Sequence, residues 1–306
     1  MDLFLEILNR VTLPIISLAA LGYLLQPWLK LDIGSLTRLQ VNVVMPAFLI
    51  HFLSAGKQPL DVVWLVATLA VIQFMILIPL GWLLVIAFRL RPTMGPIMGL
   101  GTAYANVGFF GIPVTQLAFG SEYLLHQSVL TAMMTILVCT LGVWLLSPNS
   151  GGMLAKMRTA FETPLIPSVA FGLGLRYFEV ELPPLASQPL QLLGAIFTPL
   201  ALYTLGAQIA SARSLRFEWL PQTIILTLKL AVSPIITFYL CGFMGVPLDV
   251  TAVLVVAAAT PVGVLITIFA AELKAEPEFI ATATVISTAL SPLTVTAWIL
   301  AVRLWT

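Results

Sequence analysis

The chain is a procession of apolar stretches, each near the roughly 20 residues that a helix needs to cross a bilayer's hydrocarbon core. Ten can be placed, near residues 4–25, 34–53, 62–88, 93–119, 124–147, 164–178, 189–210, 219–244, 249–271 and 279–304. Of all residues 60% are hydrophobic and 9% charged. A soluble domain of this length cannot hide so much apolar surface, so the fold class is an all-α polytopic membrane protein. The opening "MDLFLEILNR" lacks the basic start and small-residue cleavage site of a signal peptide and reads as the first span. A net charge of +1 argues against a nucleic-acid partner. Cys139 and Cys241 lie inside apolar runs and read as buried thiols, not a disulfide or a metal pair. With no HExxH, no GxSG and few His or Cys, no catalytic residue, metal or cofactor is expected.

Basic residues choose the orientation. Loops after odd-numbered spans hold Lys30, Arg38, Arg89, Arg91, Lys156, Arg158, Arg213, Arg216 and Lys274. The other side holds Arg10, Lys57, Arg176 and Arg303. Positively charged loops stay cytoplasmic, so both termini are expected outside.

Two halves echo each other. Pro46 answers Pro199, Pro92 answers Pro247 and Pro113 answers Pro261, at offsets of roughly 150 residues that suggest an internal repeat. The division is a first five-span repeat at 1–147, a polar linker at 148–163 and a second repeat at 164–306. Five is odd, so the second repeat must be inverted, which is a transporter signature.

Within the fourth span, "ANVGFFGIPVTQ" (105–116) sets glycines, a proline and amides where lipid favours leucine. Irregular backbone at membrane depth survives only where it is packed in protein or lines a cavity. Gly108 and Gly111 are expected to make a bend, and Pro113 to open a half-helix whose free N–H groups and positive dipole end face the midplane. Pro261 and Gly263 in "AAATPVGVLIT" are expected to do the same from the other side. Two positive helix ends meeting at one place suit a small anion.

These residues also carry a likeness. "NVGFFGIPVTQLAFG", "TPVGVLITIFAAELKAEPEFIATATVIST" and "MPAFLIHFLS" resemble the fourth, ninth to tenth and second spans of the auxin efflux carrier family, which includes plant PIN-formed carriers and bacterial malate or malonate permeases. The resemblance implies ten helices in two inverted repeats with broken helices 4 and 9 crossing, a bile-acid symporter or NhaA-like fold. It implies a scaffold of spans 1, 2, 6 and 7, a moving transport domain of spans 3–5 and 8–10, a homodimer through the scaffold, and a bacterial inner-membrane location. It places Asn106 on the substrate carboxylate, with Gly108, Gly111, Ile112, Pro113, Pro261, Val262 and Gly263 around it. The family's ninth-span Pro-Gln-Gly reads Pro261-Val262-Gly263 here, and losing that amide counts against auxin as the substrate.

Other polar residues have open readings. Lys229 is the charged residue deep in a span, a functional candidate by default. It is either a tether for carbonyls freed at the crossover, standing in for a cation, or a direct attractor of anions. Gln73 is either an interhelical amide or part of a supporting site. His51 is either a packed imidazole or a proton switch, and Gln208 either interhelical glue or a lining residue. Asn106 itself has a second reading as a structural cap of the broken helix.

Every Asp and Glu lies at a span end or in a loop, so the buried carboxylate that proton and sodium sites usually recruit is not visible. Export of an anion from a cell that is negative inside gains about 2.3 kcal/mol per charge per 100 mV. The expected function is therefore potential-driven export of a small organic carboxylate. An ion-coupled dicarboxylate importer and a non-transporting sensor on the same fold remain open alternatives.

Overall fold

The computed structural model describes residues 2–55, 60–146, 164–212 and 215–305. The linker with Lys156 and Arg158, along with Lys57 and Arg213, lies outside the described residues. The fold is all-helical. In chain order the helices are α1 (Phe4–Leu29), α2 (Ile33–Ala55), α3 (Leu60–Ala87), α4 (Met94–Ala103), α5 (Val107–Ala118) and α6 (Ser121–Leu146). Then follow α7 (Leu165–Tyr177), α8 (Pro184–Ser211), α9 (Trp219–Met244), α10 (Leu248–Ala258), α11 (Val264–Glu272) and α12 (Pro277–Trp305). Among the described residues, 7 of these are long and apolar enough to cross a membrane; α4, α5, α7, α10 and α11 are shorter. The protein is a multi-pass membrane protein.

Local chemistry sets several ends. Asp32 caps α2, its carboxylate accepting from the N–H groups of Gly34 and Ser35 and from the Ser35 hydroxyl. Those bonds, led by the Ser35 hydroxyl, hold the Asp32 carboxyl below its ordinary range. Gly245, at φ 68°, closes α9 in the left-handed conformation that glycine adopts without a Cβ penalty. Arg303 donates to the Ala118 carbonyl at 2.8 Å, putting a cation on the negative end of α5.

Four prolines inside the spans leave the same mark. The π-turns Leu8–Thr12, Gln40–Val44, Val107–Gly111 and Leu228–Val232 each end two residues before a proline: Pro14, Pro46, Pro113 and Pro234. Proline has no N–H and its ring crowds the carbonyl four residues back, so the ladder slips by one residue ahead of it. The helix continues instead of breaking.

Packing falls into groups. α1 lies along α8, where a Cβ on Gly22 would strike the Tyr203 carbonyl and one on Gly206 the Ala19 carbonyl. Small residues allow this backbone approach, as in lipid-embedded helix pairs generally. α2 packs on α7 and α8, α3 on α4 and α6, and α9 on α10. The periphery carries Trp28, Trp64, Trp219 and Phe243 exposed, which suits a surface facing lipid and its headgroup boundary.

Candidate substrate site at the paired helix breaks

α4 stops at Ala103 and α5 starts at Val107; α10 stops at Ala258 and α11 starts at Val264. The two gaps meet. Ala105 and Val262 form an antiparallel bridge. The Asn106 N–H donates to the Pro261 carbonyl at 2.8 Å, and the Gly263 N–H to the Tyr104 carbonyl at 3.1 Å. The Val262 N–H donates to the Ser287 hydroxyl of α12 at 3.1 Å. Buried backbone groups need such partners, so each gap supplies what the other lacks. Gly263 is required by proximity: a Cβ there would run into the Tyr104 ring.

The first gap is not where the glycines and Pro113 suggest. The bend is Tyr104–Asn106, while Gly108 and Gly111 lie inside the helix and Pro113 in its second turn. Pro113 does not open the half-helix; it slips the register ahead of it into the π-turn Val107–Gly111. Pro261, by contrast, lies in the gap itself. The antiparallel pairing sets Ala105 opposite Val262, so Pro113 and Pro261 do not occupy matching places.

Asn106 precedes α5, with only 3% of its surface exposed. Its side-chain Nδ2 finds no acceptor among the described residues. The first N–H groups of α5, from Val107 on, have no acceptor within their own helix. Ile112 and Pro113 are buried behind them. On the α2 and α8 side, Phe109 stands 6.2 Å from the Phe197 ring, which lies 5.1 Å from Phe48. Gln116 of α5 accepts from Thr198 of α8 at 2.7 Å. A donor-rich helix end therefore sits beside an aromatic wall.

Lys229 is fully buried in the π-turn of α9, and its Nζ donates to the Ala258 carbonyl at 2.9 Å. Ala258 is the last residue of α10, so its carbonyl is one that the gap frees from the helix ladder. One turn on, Ser233 accepts from Gln73 at 3.3 Å, a long interhelical bond between α9 and α3. His51 sets its ring edge-on to Phe52, and Gln208 is half-buried on α8. Neither bonds to the gaps.

Three residues that hold the site, Gln127, Thr131 and Ser287, escape a reading of the sequence. Gln127 donates to the Val107 carbonyl, and the Thr131 hydroxyl stands 3.3 Å from that carbonyl with its one proton on the Gln127 backbone carbonyl at 2.7 Å. The available signal is their spacing on one helix face, four residues apart. It is weak because serine and threonine in helices commonly bond their own backbone, as Thr131, Thr135, Thr288 and Ser291 do here.

The family described as membrane transport protein matches residues 10–299. A protein named "Uncharacterized transporter" from Methanothermobacter thermautotrophicus is 30% identical over 311 residues, covering 95% of this chain and 97% of that protein.

Proposed function

The chain belongs to the membrane transport protein family, the auxin efflux carriers that its motifs resemble, and from that premise we propose a secondary transporter of small organic carboxylates. The observation that carries the proposal is Asn106 Nδ2, a buried amide donor without an acceptor at the start of a half-helix. A buried donor left unpaired costs about 1–3 kcal/mol. A carboxylate there removes that cost, adds charge-assisted bonds and meets the positive ends of α5 and α11.

In this reading α4–α5 and α10–α11 are the fourth and ninth of ten spans, in inverted repeats at 1–147 and 164–306 joined by the 148–163 linker. The scaffold is α1, α2, α7 and α8, and the transport domain is α3–α6 with α9–α12. The packing of α1 and α2 on α8, and of α3 on α4 and α6, supports that division. Elevator motion carries the paired gaps past the α2–α8 wall, breaking the Phe109–Phe197 and Gln116–Thr198 contacts. Lys229 supplies the internal cation that neutralises the carbonyl end of α10. With no buried acid among the described residues, outward transport runs on the membrane potential, worth about 2.3 kcal/mol per charge per 100 mV. Both termini lie outside a bacterial inner membrane, and two copies pair through the scaffold.

The test is counterflow of labelled malonate and benzoate in liposomes holding the purified protein. Internal unlabelled carboxylate is expected to accelerate uptake of label. Binding without exchange makes the protein a sensor; neither binding nor exchange removes the carboxylate.

A further inference from the structure

We infer that Gln127 is a positioning residue for the carboxylate site, holding Asn106 in place by taking over the Val107 carbonyl from the Gly111 N–H. The inference rests on the carboxylate reading of that site. In an unbroken α-ladder the Gly111 N–H bonds the Val107 carbonyl. Here the Gly111 N–H goes one residue further, to the Asn106 carbonyl at 2.9 Å, which the Phe110 N–H shares at 3.3 Å. The Ile112 N–H bonds the Gly108 carbonyl. With the Gly111 N–H turned to Asn106 and the Ile112 N–H to Gly108, the Val107 carbonyl falls at the slip in register, where a buried carbonyl needs another donor.

Gln127 of α6 fills the vacancy. Its Nε2 donates to the Val107 carbonyl at 2.6 Å, while the Thr131 hydroxyl, 3.3 Å from the same carbonyl, has its one proton on the Gln127 backbone carbonyl at 2.7 Å. Its Oε1 accepts from Thr115 at 3.1 Å, which decides which way the amide faces. Gly111 is the other half of the arrangement. A Cβ there would stand 2.5 Å from Gln127 Nε2, so the glycine admits the amide and makes no bend. Asn106 is then fixed through its own backbone, by N–H to Pro261 on one side and by its doubly bonded carbonyl on the other. Its side chain remains for the ligand. If Gln127 is lost, the donors left near the Val107 carbonyl are the Thr131 hydroxyl, already committed to the backbone carbonyl of residue 127, and the Gly111 N–H of its own ladder. Taking that place pulls the Gly111 N–H off Asn106 and turns the residue.

The test uses the purified full chain with malonate and benzoate as probes. Gln127→Leu and Gly111→Ala are each expected to weaken binding about tenfold. The double variant is expected to be no worse than the weaker single, because both remove one contact. Gln127→Glu adds a readout that mere space-filling cannot produce. When protonated, the introduced carboxyl donates to the Val107 carbonyl while still accepting from Thr115; when ionised, it repels that carbonyl. Measured against wild type at each pH, its affinity is expected to recover between about pH 8 and about pH 5. Additive losses, or a pH-independent ratio, overturn the inference. If wild type binds neither probe, the carboxylate reading fails by itself. The positioning role is then decided on the melting temperature of the ligand-free protein, where the same non-additivity and pH recovery are expected and additive shifts overturn it.

Discussion

At the first gap, Tyr104–Asn106, the polar work is done by neutral amides. Gln127 covers the carbonyl at the start of the following half-helix, and Asn106 Nδ2 is left without an acceptor. At the second gap, Thr260–Gly263, it is done by a buried lysine side chain and hydroxyls. Lys229 covers the carbonyl at the end of the preceding half-helix, Thr260 bonds the Ala257 carbonyl, and Ser287 takes the Val262 N–H. The backbones pair with each other as equals, yet one side is satisfied and the other carries an open donor. Buried polar groups are almost always paired, and an exception asks for an explanation. The proposed carboxylate site rests on that difference: the first gap offers a donor to a ligand, and the second holds the pair together.

Lys229→Ala should produce the largest effect and should act on stability. It leaves the Ala258 carbonyl bare and empties the space of a long side chain, a loss of about 3 kcal/mol. The ligand-free melting temperature is therefore expected to fall steeply. Lys229→Met keeps most of the stem and should lose only the hydrogen bond, with Lys229→Gln in between because it retains a donor. Unchanged melting of Lys229→Ala together with abolished carboxylate binding would move Lys229 into the substrate site and erase the contrast.

Asn106→Ala should act on affinity instead. Losing a charge-assisted bond worth about 1.5–3 kcal/mol weakens carboxylate binding by roughly tenfold to a hundredfold. Because the donor is unpaired without ligand, the ligand-free protein should melt no lower than wild type. Normal carboxylate affinity in this variant, in direct titration, removes Asn106 from the site.

The smallest effect belongs to Gln73→Leu. Its bond to Ser233 is long at 3.3 Å, and interhelical bonds in lipid average about 0.6 kcal/mol. Melting should shift slightly and carboxylate affinity not at all. A loss of affinity comparable to that of Asn106→Ala would make the α3–α9 contact part of the binding site.

The sequence by itself determined the membrane class, the apolar helices and the presence of an interruption within the stretches 93–119 and 249–271. Those follow from hydrophobic length and from the rarity of Gly, Pro and amides in lipid, both properties of short stretches read alone. It also singled out Lys229, because a deep charge is conspicuous without any neighbour in view. The tertiary structure decided which residues open the helix. Pro14, Pro46, Pro113 and Pro234 all slip the ladder and keep the helix running, whereas Pro261 lies in a gap. A gap needs a second unpaired backbone to bond with, and the Tyr104–Asn106 segment supplies it from more than half the chain away. Gln127 and Ser287 were hidden for the same reason. One polar side chain among many in a span acquires a role only when folding brings a bare carbonyl or N–H within hydrogen-bond reach.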